Sequence, residues 1–168
     1  MIISLKLYVN SIDKIKILIC IVCAFFSMLH ATAQPAAVKE LVWYDDIAEA
    51  KKDAATNHKS ILIYFSGSDW CKPCIQLREN ILNTEAYVSF AQQFMIMVQV
   101  DFPRLKKHKL SNEQTRHNER LAEQYNKQGI FPFIVILDSD GHVSGTTTYH
   151  EETPEEFIAR IRSTLATK

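Results

Sequence analysis

Cys71 and Cys74 stand two residues apart in "SGSDWCKPCIQL", between an apolar run and a segment of helical character. Two thiols at that spacing can exchange electrons with another disulfide, supply half of a tetrahedral zinc site, or lie together by chance. A zinc site needs two further ligands. His58, His108, His117, His142 and His150 are scattered rather than paired three to five residues apart, so no metal site is expected.

The other two cysteines, Cys20 and Cys23, belong to a different segment. Lys6, Lys14 and Lys16 precede the apolar run "ILICIVCAFFSML", Ile17 to Leu29, and "HATAQ" then places Ala31 and Ala33 in an A-x-A spacing. A positive start, a short apolar centre and a small-residue exit form a secretory signal. The run falls short of the ~20 residues that cross a bilayer comfortably. Residues 1–33 are therefore read as a signal peptide cut after Ala33, with an uncleaved membrane anchor as the alternative. The expected location is the periplasm or cell envelope. After the cut, residues 34–168 keep only Cys71 and Cys74, too few for a structural disulfide framework.

The whole chain of 168 residues has a formal net charge of zero. Three of its 19 Lys and Arg and one of its 19 acidic residues precede the cut, leaving −2 on the exported part. Neither value favours nucleic-acid binding. The length suits one domain, and no repeat or linker divides it.

The elements that must position the two sulfurs follow from local patterns. "KELVWYDD" reads as a short strand ending in a helix cap at Asp45 or Asp46. A helix follows with Ile47, Ala50 and Ala54 on one face. "SILIYF", "MIMVQVD" and "FIVIL" are continuous apolar runs suited to strands buried on both faces. Pro73 is tolerable only in the first turn of a helix, so the "CKPCIQLRENIL" helix must start beside the cysteines. A short helix over "NTEAYVSFAQQF" opens at Asn83 or Thr84. The polar "NEQTRHNERLAEQYNKQG" closes near Gly129. "DSDG" is a tight turn before the edge strand "HVSGTTTY". In the last helix Thr153 caps, Pro154 takes the first position and Glu156 completes a capping box. The order β-α-β-α-α-β-α-β-β-α implies an α/β domain with a central mixed sheet flanked by helices.

Three features in this order resemble the thioredoxin superfamily: "WCKPC" after a buried strand, "GIFPF" with Pro132 before the third buried strand, and a closing hairpin and helix. The resemblance covers residues 38–166. "FSGSDWC" and "VDFPR…NERLAEQY…GIFPF" are similar to the secreted thioredoxin-like proteins of bacterial envelopes more than to cytosolic thioredoxin. It implies a thioredoxin fold and a thiol–disulfide oxidoreductase that needs no cofactor beyond a redox-active Cys71–Cys74 disulfide.

In that reading the more exposed Cys71 attacks and Cys74 resolves. Bringing an ordinary thiol from a pKa near ~8.5 to about 7 takes roughly 2 kcal/mol. The helix N-terminus can supply ~0.5–2 kcal/mol and the Lys72 ammonium ~0.2–1 kcal/mol. The resemblance also makes Pro132 a cis proline that turns Phe131 toward an incoming client strand. Trp70, Lys72, Pro73, Phe131 and Pro132 are thus the expected substrate-binding residues, with the bulky Phe131 and Phe133 narrowing client choice. One departure stands out. Where thioredoxins bury an aspartate beneath the second cysteine, this chain has Tyr64, and Met97 aligns with the usual lysine neighbour. Asp69 is expected to point outward.

The Lys-Pro between the cysteines lacks the histidine of strongly oxidising relatives, which favours a reductase or isomerase of protein thiols. A reductase needs electrons from a transmembrane thiol donor. The alternative is a non-catalytic binding or copper-delivery module. A monomer is expected. The basic run "RLKKHK", Arg104 to Lys109, is read as a solvated loop, with docking of an acidic partner as the alternative.

Overall fold

A computed structural model describes residues 40–166, all within the compact unit Val38–Lys168. The signal segment and the proposed cut lie outside the described residues. No helix among the described residues is long and apolar enough to cross a membrane.

Five strands form one sheet: β1 (Trp43–Tyr44), β2 (Ser60–Ser66), β3 (Met95–Asp101), β4 (Phe133–Leu137) and β5 (Val143–Thr147), in the order β1-β3-β2-β4-β5. β1, β3 and β2 run parallel, β4 joins antiparallel to β2, and β5 pairs antiparallel with β4. This is the thioredoxin fold. β2 lies at the centre, which is why "SILIYF" is apolar throughout. Successive side chains alternate between faces, and both faces are covered. Ile61, Ile63 and Phe65 join one core cluster, while Leu62 and Tyr64 join the other.

The helices are α1 (Ile47–Asn57), α2 (Lys72–Leu77), α3 (Glu85–Phe94), α4 (Asn112–Tyr125) and α5 (Pro154–Ala166). Ala50 and Ala54 of α1 and Leu121 of α4 pack with Ile61, Ile63 and Phe65. Leu77 of α2, Tyr87 and Phe90 of α3, and Phe157 and Ile161 of α5 cover the Tyr64 face. That second face holds both cysteines.

The caps settle where each helix begins. Asp46 accepts the Ala48 and Glu49 N–H groups, and Thr84 accepts that of Tyr87. The Thr153–Glu156 capping box forms in both directions. Two boundaries differ from the sequence pattern. α4 ends at Tyr125, not near Gly129, because the buried Asn126 side chain exchanges two hydrogen bonds with the Ile130 backbone. The helix after Cys74 also widens into a π turn over Arg78–Leu82, with Ile81 and Leu82 both buried at adjacent positions.

Candidate active site

β2 delivers the chain to the cysteines through a tight bend. Asp101, at the end of β3, accepts from the Ser66 hydroxyl at 2.8 Å and from the Ser68 N–H at 2.8 Å and hydroxyl at 2.5 Å. The Cys71 N–H then bonds the Gly67 carbonyl at 2.9 Å, closing the turn. Gly67 is required here by space: a Cβ would overlap the Trp70 indole.

Cys71 is the N-cap of α2, in extended conformation, and Pro73 lies in the first turn. Its Sγ accepts the Cys74 N–H at 3.3 Å and is bonded to the Cys74 sulfur, with Cα atoms 5.2 Å apart. The pair is therefore a disulfide across the first helical turn. Cys71 is 5% exposed and Cys74 1%. The order is the expected one, but Cys71 is much less open than a free-standing nucleophile. Its sulfur is drawn inward by the bond to Cys74 and by its capping contact. Lys72 and Pro73, between them, are exposed.

Trp70 forms the adjoining wall. Its indole N–H donates to the Phe102 carbonyl at 2.7 Å, and its ring meets Phe131 edge-on at 5.5 Å. Phe102 also packs edge-on against Phe131, at 5.6 Å. The Arg104 guanidinium lies 3.7 Å from the Trp70 ring centre. Phe131–Pro132 is a cis peptide, Pro132 is buried, and its carbonyl accepts the Thr148 hydroxyl at 2.6 Å. Phe133 packs on the opposite face, against Phe65. Trp70 and Phe131 are thus brought together with the cysteines in one cluster, whereas Phe133 is not.

Asp69 does not point outward. Its side chain is only 4% exposed. It accepts the Arg104 N–H at 2.9 Å and the Leu105 N–H at 3.0 Å, and pairs with His108 Nδ1 at 3.0 Å. The Arg104 N–H, then the Leu105 N–H and His108, hold its carboxyl below the usual carboxylate range. Unpaired loop amides 35 residues away attract it more than water does.

Beneath Cys74, the Tyr64 hydroxyl donates to the Cys74 carbonyl at 2.8 Å. Burial pushes the phenol pKa up, the Asp101 charge adds to this, and Arg78 opposes it. Tyr64 is therefore a donor and not a base. The register sets Gln99, not Met97, directly across from Tyr64; Met97 faces Leu62. Gln99 accepts from Arg78 at 2.6 Å, and the Arg78 guanidinium lies 5.0 Å from the Trp43 ring centre. Met97 instead receives the Tyr87 hydroxyl at its sulfur.

Arg104, Phe102, Asp101 and Arg78 carry no motif that sequence spacing reveals. The only hint was the "VDFPR" string after the strand. Among the described residues, one trio could offer ligands to a metal: Asp138, Asp140 and His142 in the β4–β5 turn, not at the cysteines. There Asp138 accepts the Asp140 and His142 N–H groups and so closes the turn.

A family profile described as thioredoxin-like matches residues 42–139. The chain is 33% identical to a Chlamydia pneumoniae protein named disulfide bond reductase DsbH, over 79% of this chain and 77% of that protein. A solved DsbH oxidoreductase superposes with a TM-score of 0.71 at 30% identity, covering 83% of this chain and 95% of that one. A disulphide isomerase from Xylella fastidiosa Temecula1 gives a TM-score of 0.53 at 22% identity, covering 69% and 88%, and shares the fold.

Proposed function

The chain belongs to the thioredoxin-like family, and on that footing we propose that this thiol–disulfide oxidoreductase is an exported reductase of protein disulfides. Cys71 acts as nucleophile and Cys74 as resolver. The observation that carries the reading is the Cys71–Cys74 disulfide, with Cys71 Sγ at the cap of α2 accepting the Cys74 N–H.

In the reduced protein a thiolate at Cys71 occupies the cap position. The unpaired N–H groups and dipole of the helix start stabilise it, with exposed Lys72 adding a smaller amount. The thiolate attacks one sulfur of a client disulfide, forming a mixed disulfide and releasing a client thiolate. Cys74 then loses its proton and attacks Cys71 Sγ, releasing the second client thiolate. The client gains two electrons and two protons, and the chain is left as the disulfide described above. A dithiol carrier in the membrane is the proposed donor that resets it. Tyr64 being a donor, the Cys74 proton goes to water or to the departing client thiolate.

The reductive direction is supported by the relative named a disulfide bond reductase and by the Lys-Pro between the cysteines. Trp70, Phe131 and Pro132 are proposed as the surface against which the client chain lies, with Lys72 and Pro73 at its edge. Residues 1–33 are proposed as the export signal and 34–168 as the working domain.

The test is trapping. Cys74→Ser should accumulate mixed disulfides with client proteins and Cys71→Ser should accumulate none. A reduction potential near about −270 mV supports a reductant, and one near about −120 mV an oxidant. Absence of trapping by both variants, with copper or zinc retained through purification, would replace catalysis by metal delivery.

A further inference from the structure

From Phe102 to Asn112 the chain has no acidic residue, while Arg104, Lys106, Lys107 and Lys109 fall within six positions. Every residue from 104 to 109 is exposed, and Leu105 in their midst keeps 46% of its area open. A loop of this composition would ordinarily be free to move. This one is tied to the active site at three points. Asp69 holds the Arg104 and Leu105 amides, and the 3-10 turn Lys106–His108 hangs from the same carboxylate through His108. The Phe102 carbonyl holds the Trp70 indole. The Arg104 guanidinium lies over that indole at 3.7 Å. The result is a basic strap fastened to the residue that precedes Cys71.

The two acids bonded to the strap or to the bend beside it turn their oxygens inward. The Asp69 oxygens face the strap's own amides, and those of Asp101 face Ser66 and Ser68. We infer that this strap is the docking surface for an acidic segment flanking the client's disulfide. The inference rests on the reading that Cys71 and Cys74 reduce polypeptide disulfides, and it adds the class of client. Arg104, Lys106 and Lys107 meet client carboxylates, and the exposed Leu105 meets an apolar side chain among them. A polypeptide is favoured over a nucleic acid or a lipid surface for two reasons. Four cations on a chain of zero net charge make a small patch, and the strap borders a sulfur pair that takes polypeptide substrates.

The test uses protein pre-reduced with dithiothreitol and then desalted, so that its own dithiol supplies the two electrons. Single-turnover rates are measured on three disulfide-closed peptides whose flanks are acidic, neutral or basic. The acidic peptide should react roughly 10-fold faster than the basic one at low salt, with the gap closing to about two-fold near ~0.5 M salt. In the double variant Lys106→Glu, Lys107→Glu the four cations of the strap become two cations and two acids, and the preference for the acidic peptide should be lost. Equal rates on all three peptides, or an unchanged preference in the variant, overturn the docking inference while leaving the reductase reading intact. Failure to reduce any peptide overturns both. Binding to phosphatidylglycerol vesicles that the same substitutions abolish, without discrimination among peptides, overturns it in favour of a lipid surface.

Discussion

Replacing Tyr64 with phenylalanine isolates one hydrogen bond beneath the redox pair. The phenol donates to the Cys74 carbonyl at 2.8 Å, and the residue is 1% exposed. Phenylalanine keeps the ring and its tilted contact with Trp43, 6.2 Å between centroids, so only one oxygen's volume is vacated. The Cys74 carbonyl also accepts the Arg78 N–H, so it is not left unpaired. A net hydrogen bond contributes ~0.5–1.5 kcal/mol, and the retained acceptor partner places the expected loss at about 1 kcal/mol. For a domain of this size that is a fall of roughly 3–5 °C in Tm, measurable by circular dichroism on the oxidised protein. The raised phenol pKa keeps Tyr64 protonated where thiols exchange, so it takes no proton from Cys74. Stopped-flow resolution of a preformed mixed disulfide should therefore change far less than the ~10²-fold or more expected when a general base is removed. A ~10²-fold slower resolution with an unchanged Tm would refute this reasoning and put the phenol in the proton path.

Two further outcomes are expected. Asp69→Ala should release the strap from Trp70, seen as a change in indole fluorescence, with Cys71 becoming faster to react with small thiol reagents. The same release should appear in the wild-type protein on acidification. The folded carboxyl pKa lies below the unfolded value near ~3.9, so the clamp is complete above about pH 4 and fades as pH falls through the folded value. Release centred well above pH 4 would refute the assignment of the clamp to the Asp69 carboxylate. Gly67→Ala should displace the Trp70 indole, since the added Cβ overlaps it, and so weaken the bond to the Phe102 carbonyl. A lower Tm and quicker reduction of the Cys71–Cys74 disulfide by dithiothreitol would be observed, and unchanged values would show that the bend adapts without moving the indole.

Much of this fold could be read before any coordinates because its signals are local. Asp46, Thr84 and Thr153 cap helices with groups two or three residues away, and Pro73 and Pro154 can occupy only a first turn. The apolar runs of β2, β3 and β4 announce strands buried on both faces. What local pattern missed depends on register and on loops meeting across the fold. That Gln99, two residues beyond Met97, lies directly across from Tyr64 is one example, because the strand register is set by how β3 packs along β2 and not by either string alone. Asp69 was misplaced for a similar reason: an aspartate in a bend is ordinarily solvated, and its partners here are amides 35 and 36 residues away.

By itself the sequence determined the chemistry available to this protein: two thiols at the start of a helix, a proline before a central strand, and a sheet able to bury both faces. Those depend on residue type and on neighbours within one turn. Only the tertiary structure decided how open that chemistry is. It drew Cys71 to 5% exposure, turned the Tyr64 hydroxyl onto the Cys74 carbonyl, and fastened a basic strap over Trp70. Hydrogen bonds and ring contacts between distant segments have no period in the chain, so they come into being only when the sheet brings β2 and β3 side by side.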